Sequence, residues 1–266
     1  MTKTGAKPVY GRESEDALAQ VVQSPRRVRV RRQRPTGRIV LLRWVKRIFF
    51  AAFILVVPLP ALLLLVLRAV PVPGTPQMLA SWLQGDGAHY QWVDGDRISP
   101  ALGRAVIASE DQKFCSHHGF DWGSIDSAMQ TYEGGGRLRG ASTISQQTAR
   151  SLFLFPVRSF IRKGLEAWIT VLAEALWPKR RILTVYLNVV DWGHGNFGAE
   201  AAARTYFHRS ASALSLRQAA RLAAVLPDPA EWKAARPGPY VEARTRLILR
   251  RMSDVRRDRL DSCVRP

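Results

Sequence analysis

Apolar residues along this chain fall into two regimes. From Ile48 to Leu67, IFFAAFILVVPLPALLLLVL, twenty residues run without a charge. Beyond Pro100 they recur instead at helical spacing, with polar faces between them. As a helix rising about 1.5 Å per residue, the first run crosses a hydrocarbon core of roughly 30 Å. A core helix of that length would show a polar face, and this one has none. A cleavable signal peptide would have a shorter leading segment than 47 residues and a small-residue cleavage site. The run therefore reads as an uncleaved signal anchor, and Pro58 and Pro60 are expected to kink or locally open it.

Past the anchor, AVPVPGTP (69–76) reads as a semi-rigid, non-helical exit. Met78, Leu79, Trp82 and Leu83 follow. They lie either on the lipid interface, where Trp is favoured, or against the domain. ALGRAVIASEDQKF is expected to form a helix after the cap and first-turn proline Ser99-Pro100. EGGGRLRG (133–140) reads as a flexible loop, and STISQQTARSLFLF (142–155) as a helix whose Thr143 and Gln146 are spaced as a capping box. Pro156 stops it. The next helix, 158–177, carries a stripe of Ile161, Leu165, Trp168, Leu172 and Leu176. RRILTVYLNVV, EAAARTYF, SLRQAARLAAVLP and PYVEARTRLILRRM read as further helices, with GHGNFG as a loop. No useful strand alternation occurs, so the fold class is mostly α.

Charge changes the picture in one respect. The chain has 40 Lys plus Arg against 21 Asp plus Glu, a net +19, and 33 of the 40 basic residues are Arg. Residues 1–47 hold 13 basic and 3 acidic side chains, which raises a nucleic-acid binder as a rival reading. The anchor removes most of its force. Ten basic residues lie between Arg26 and Arg47 and none between Ala69 and Ala88. Basic flanks stay cytoplasmic, so residues 69–266 are expected outside, with the tail as a topology signal that touches anionic lipid. Cys115 and Cys263 could bridge in an oxidising compartment, but no spacing supports a disulfide framework or a metal site, and the preferred reading is two unrelated thiols.

Projected on a helix, Leu102, Val106, Glu110 and Phe114 fall four residues apart on one arc. Glu110 thus sits in an apolar stripe, a costly place for a carboxylate unless it is paired or used. Partial desolvation there raises its pKa toward the range useful for proton transfer. Asp111, His117 and His118 are better structural candidates, and the two histidines lack a Glu or Cys partner at metal-ligand spacing. Ser142, Thr143, Ser145, Gln146, Gln147 and Arg150 form a second polar concentration, richer than capping requires and suited to sugar or phosphate contact. Arg162, Lys163 and Glu166 share a face opposite the apolar stripe. The base precedes the acid, the less stabilising order, so helix stability is a poor reason for the arrangement.

These residues resemble a known family. EDQKFCSHHGFD is similar to the first motif of the peptidoglycan glycosyltransferases, GASTISQQTAR to the second, RKGLE to the third and KRRILTVYLN to the fourth; GNFGAEAAARTYF resembles the stretch that follows. The motifs occur in order over residues 98–252. The chain resembles the monofunctional biosynthetic peptidoglycan transglycosylases, which lack a penicillin-binding module. No Ser-x-x-Lys occurs, and the only Lys-Thr-Gly is at residues 3–5.

The resemblance implies a lysozyme-like helical lobe with a smaller, mobile, membrane-proximal lobe. It implies inverting transfer of the growing glycan from undecaprenyl pyrophosphate to the 4-hydroxyl of lipid II, giving a β-1,4 link. Glu110 matches the general base and Glu166 the second glutamate. Arg150, Arg162, Lys163 and Lys179 would meet pyrophosphate, together with a Mg²⁺, and no organic cofactor is expected. Ser142, Gln146 and Asn188 would hold sugar or phosphate oxygens, with Asp111, Phe114, His117 and Gly119 as architecture. Arg150 stands where lysine is often found, and Lys179-Arg180-Arg181 replaces a more acidic pattern. The expected division is a basic tail (1–47), anchor (48–67), membrane-proximal linker (68–97), glycosyltransferase domain (98–252) and C-terminal tail (253–266). Expected partners are lipid II, the growing chain, the membrane and other cell-wall synthases or division proteins, with no nucleic acid. The expected place is the bacterial cytoplasmic membrane, catalytic domain outward. A lysozyme-like hydrolase or lytic transglycosylase is the competing enzyme class; its poor alkoxide leaving group needs a proton donor, and the cations near Glu166 would be superfluous. A non-catalytic scaffold has no use for Glu110 and Glu166.

Overall fold

The computed structural model describes residues 37–136, 142–157 and 159–265, together with Thr2 and Gly5. Arg137 and Arg139 of the glycine-rich loop, Arg158 and most of the basic tail lie outside the described residues. Two units are distinguished, Met1–Phe50 and Ala51–Pro266. The elements in chain order are α1 (Gly37–Val56), α2 (Pro58–Leu67), α3 (Pro76–Leu83), β1 (His89–Tyr90), α4 (Pro100–Glu110), α5 (Trp122–Glu133), α6 (Ile144–Phe153), α7 (Phe160–Leu176), α8 (Lys179–Val189), β2 (Asn196–Phe197), α9 (Ala199–Phe207), α10 (Leu216–Val225) and α11 (Pro239–Arg257). The fold is mostly α.

The apolar run is helical and broken at Val57. Leu41–Leu67, 27 residues, is the one stretch among the described residues long and apolar enough to cross a membrane. Pro60 has no N–H, so the Val56 carbonyl loses its donor four residues on. The Trp168 indole N–H replaces it at 2.8 Å. Farther out, Trp177 Nε1 donates to the Leu64 carbonyl at 2.7 Å, and Arg181 donates to the carbonyls of Leu67 and Val70. Away from water, each such carbonyl left bare costs about 1–3 kcal/mol. The outer end of the run is thereby fixed to α7, to Trp177 just beyond it, and to α8.

In the core, α4 is buried through Leu102, Ala105, Val106, Ile107 and Ala108 and packs between α10 and α11. Fully buried Ala219, Ala220, Ala223 and Ala224 line α10, and such small side chains allow close helix approach. A second group sets α6 against α7 and α8. Two residues of β1 pair in parallel with two of β2, His89 opposite Asn196 and Tyr90 opposite Phe197. Of the apolar residues after the exit, Met78 is buried, whereas Leu79, Trp82 and Leu83 face outward.

Four expectations need correction. The helix expected to reach Phe114 stops at Glu110, because Asp111 adopts φ −161° and its carboxylate is held elsewhere. α5 was not in the apolar pattern; Ala128 is its one buried residue. Cys115 and Cys263 are not unrelated thiols: they form a disulfide, with Cα atoms 5.5 Å apart across 148 residues of sequence. Spacing carries no sign of this, because the fold brings the partners together. The C-terminal segment is likewise no loose tail. α11 extends to Arg257, and the buried carboxylate of Asp261 pairs with Arg104 at 3.1 Å and with Arg265.

Candidate active site

Glu110 is the last residue of α4, at the edge of the core that the helix builds. Its side chain is 14% exposed. Oε2 accepts the Gln147 amide N–H at 3.1 Å. Gln147 is itself oriented, since its carbonyl accepts the Tyr186 hydroxyl at 3.1 Å. On the other side, Arg244 Nη2 stands 3.7 Å from Glu110 Oε1, and Ser109 Oγ is at 3.5 Å. Burial raises the pKa of Glu110; the Gln147 hydrogen bond, Arg244, Ser109 and Arg150 oppose that rise. This is a carboxylate in a dry, organised place, suited to taking a proton.

The residues after Glu110 are framework. Asp111 Oδ2 accepts the backbone N–H of Ile144 at 3.0 Å, and both its oxygens lie 3.0 Å from His117 Nε2. That carboxylate ties the start of α6 to the turn after α4. Phe114 is fully buried, with the Lys179 ammonium 4.5 Å above its ring. Gly119 has φ +90°, and a Cβ there would lie 2.9 Å from Thr170 Cγ2, so only glycine lets the turn approach α7. Thr143 Oγ1 donates to the Gly119 carbonyl at 2.6 Å.

Glu110 and Gln147 each line a pocket, and their hydrogen bond links the two walls. The first, of about 300 Å³, is lined by Glu110, Lys113, Asp121, Ser142, Thr143 and Arg251 among others. The second, of about 470 Å³, includes Gln147, Arg150, Ser151, Arg162, Asp86 and Asp191. Glu166 lines neither. Its buried carboxylate binds Arg162 Nη1 at 2.8 Å and the Lys163 ammonium. Two cations on one carboxylate leave a net positive charge, and Arg162 carries it to the second pocket.

The structure brings together Glu110, Ser142, Arg150 and Arg162, with Lys163 and Glu166 behind Arg162. It does not bring in three residues expected to touch substrate. Gln146 closes the capping box with Thr143, its Oε1 accepting the Thr143 N–H at 3.0 Å, and it is buried. Asn188 is fully buried, and its amide grips the N–H and C=O of Val93 at 2.9 Å each. Lys179 pairs with Glu174 at 2.7 Å, a carboxylate that also accepts from Ser145. Asn188 is satisfied within the protein, and Gln146 Oε1 and the Lys179 ammonium are each engaged by a protein partner.

Sequence reasoning missed Gln147 and Tyr186 as the support of Glu110, Glu174 as a node, and Arg244 and Arg251 on α11. The two arginines are seven apart, so they share a helix face. In a chain with 33 arginines that spacing does not stand out.

A transglycosylase family model matches residues 76–253, so the match also takes in α3. Among curated relatives, a biosynthetic peptidoglycan transglycosylase of Caulobacter vibrioides is 48% identical over 228 residues, covering 86% of this chain and 99% of the relative. Another, of Rhodospirillum centenum, is 54% identical over 198 residues, 74% of this chain and 86% of its own. One from Pseudomonas aeruginosa is 49% identical over 218 residues, 80% of this chain and 94% of its own.

Proposed function

This chain belongs to the transglycosylase family, and on that premise we propose that it polymerises peptidoglycan glycan strands from lipid II in cell-wall biosynthesis. The observation that carries the reading is the half-buried Glu110, which lines one pocket and is hydrogen-bonded to Gln147, which lines the other. The incoming lipid II places its sugar 4-hydroxyl in the smaller pocket. Glu110 takes the hydroxyl proton, the oxygen bonds to the anomeric carbon of the growing chain, and the bond from that carbon to the lipid pyrophosphate breaks with inversion. The leaving pyrophosphate needs cations more than it needs an acid. Arg150 and Arg162 line the pocket that receives it. Lys163 and Glu166 hold Arg162 in place, and Ser142 contacts the acceptor.

The resemblance also implies Mg²⁺. Among the described residues no group of three or more His, Cys, Asp or Glu side chains could hold a metal ion, and both oxygens of Glu166 are taken by cations. A protein-built metal site does not fit these donors, and no step above runs through one.

The enzyme sits in the bacterial cytoplasmic membrane with its catalytic domain on the outer face. The apolar stretch Leu41–Leu67 supports the anchor, and the Cys115–Cys263 disulfide supports an oxidising compartment. Phe155, Val157, Phe160 and Ile161 at the start of α7 are exposed, Phe160 by 97%, which suits lipid contact better than water. Lipid II and the glycan chain are its substrates; other synthases or division proteins are its expected neighbours.

The test offers the purified protein lipid II and, separately, finished glycan, each with and without chelator. Polymer from lipid II and no cleavage of glycan is expected. Cleavage of glycan without consumption of lipid II would make the protein a hydrolase or lytic enzyme.

A further inference from the structure

We propose that Arg244, on the C-terminal helix α11, is a positioning residue that keeps Glu110 ionised and aimed, a role that rests on the polymerase reading above. The geometry is asymmetric. Oε2 of Glu110 is committed to Gln147, whose amide cannot turn over without setting its oxygen against the carboxylate, while the Tyr186 hydroxyl donates to that oxygen from the far side. Oε1 accepts only the long Ser109 hydroxyl contact at 3.5 Å, which leaves a lone pair to receive a proton, and Arg244 faces that oxygen from 3.7 Å. At that distance the guanidinium acts by charge without capping the lone pair, so the oxygen stays open to a substrate hydroxyl. Arg244 is itself 23% exposed, and its Nε is buried without a hydrogen-bond partner. Among the described residues no other carboxylate pairs with it.

The other groups around the carboxylate do not make Arg244 redundant. On its own helix there is only Ser109, neutral and at 3.5 Å. On α6, Gln147 is neutral, and Arg150 contributes less than Arg244. Tyr186, on α8, is buried and its pKa is pushed well above the ordinary tyrosine value by that burial, so it stays neutral. Asp111, next in the chain, is negative and held by His117 and the Ile144 N–H. Lys113 and Arg251 line the same pocket, but Lys113 is engaged by Asp121 at 3.3 Å.

The experiment compares the full chain in detergent with Arg244→Met and Arg244→Lys, using lipid II polymerisation from pH 5 to 9. Loss of a cation beside a carboxylate raises its pKa by about 1 unit or more. The acid limb of kcat/KM in Arg244→Met is therefore expected to move up by roughly 1 pH unit, with rate recovering at high pH. Arg244→Lys should return the limb toward wild type. A uniformly lower profile with an unmoved limb would reduce Arg244 to a structural residue, and an unchanged profile would remove it altogether.

A second readout needs no substrate. The protonated-carboxyl infrared band of Glu110, taken as the difference between each protein and its Glu110→Gln counterpart, is titrated directly. A midpoint equal in wild type, Arg244→Met and Arg244→Lys overturns the proposal. If wild type fails to use lipid II but the midpoint still moves in Arg244→Met, the polymerase reading falls while the positioning role stands. Should Arg244→Met not fold, the wild-type and Arg244→Lys midpoints, compared with Gln147→Glu as a displaced-charge control, decide it: Gln147→Glu must raise the midpoint if charge governs this carboxylate, and a flat response overturns the idea.

Discussion

Glu110 and Glu166 are both carboxylates that sequence spacing singles out, the first half-buried and the second buried, yet their surroundings are opposite. Glu110 is held by a neutral amide, and its one close cation stays at 3.7 Å. Glu166 has two cations on its oxygens, with Arg162 Nη1 at 2.8 Å. The first arrangement leaves a proton acceptor with spare capacity. The second consumes the carboxylate in ordering cations. Burial alone therefore does not identify a base; the uncommitted lone pair does.

The most decisive way to break this contrast is Glu110→Gln. The fold should persist by circular dichroism, and lipid II polymerisation should fall about 1,000-fold, within the range of a lost general base. Wild-type turnover would end the assignment. Glu166→Gln should lower kcat about 100-fold, with lipid II affinity changed only a few-fold, because the cations remain but lose their order. Equilibrium binding measured beside single-turnover rates separates the two effects; an affinity loss as large as the rate loss would make Glu166 a binding group.

A staple behind the base side gives the next effect. Cys115→Ser with Cys263→Ser should lower unfolding free energy by about 2 kcal/mol, the low end for a disulfide. The Asp261 ion pairs hold the same segment without it. Denaturant melts with and without reductant check this, and a midpoint indifferent to both would show the cross-link to be idle.

The pH profile sharpens the contrast further. Burial lifts Glu110 above the ordinary glutamate value of 4.5. The base works only when ionised, so kcat/KM should fall about ten-fold per pH unit below a limb lying above that value. A limb at or below 4.5 would place the proton acceptor elsewhere. Smallest is Trp168→Phe, which keeps the ring but bares the Val56 carbonyl. About 1 kcal/mol of stability should be lost, measured in lipid nanodiscs by thermal melting, with the sugar chemistry unchanged at saturating substrate.

The helices with strong apolar stripes were legible in the sequence, and so was Glu110, because a carboxylate amid Leu102 and Val106 has a detectable cost. The triad of Arg162, Lys163 and Glu166 was legible from spacing within one helix. What could not be read was which polar side chains were already satisfied. Gln146 looked free until its cap closed, and Asn188 until Val93, 95 residues away, arrived to use its amide. The disulfide and the Arg244 contact have the same origin: both depend on α11 and the segment after it folding back over α4. α5 escaped notice because a helix lying mostly in water needs no stripe.

The stitches from Trp168, Trp177 and Arg181 to the carbonyls between Val56 and Val70 have a mechanical consequence. A tether joined by a limp hinge would let the catalytic body tumble and climb. Here the carbonyls of Val56, Leu64, Leu67 and Val70 are bonded to α7, Trp177 and α8, so this stretch and those helices swing together as one piece.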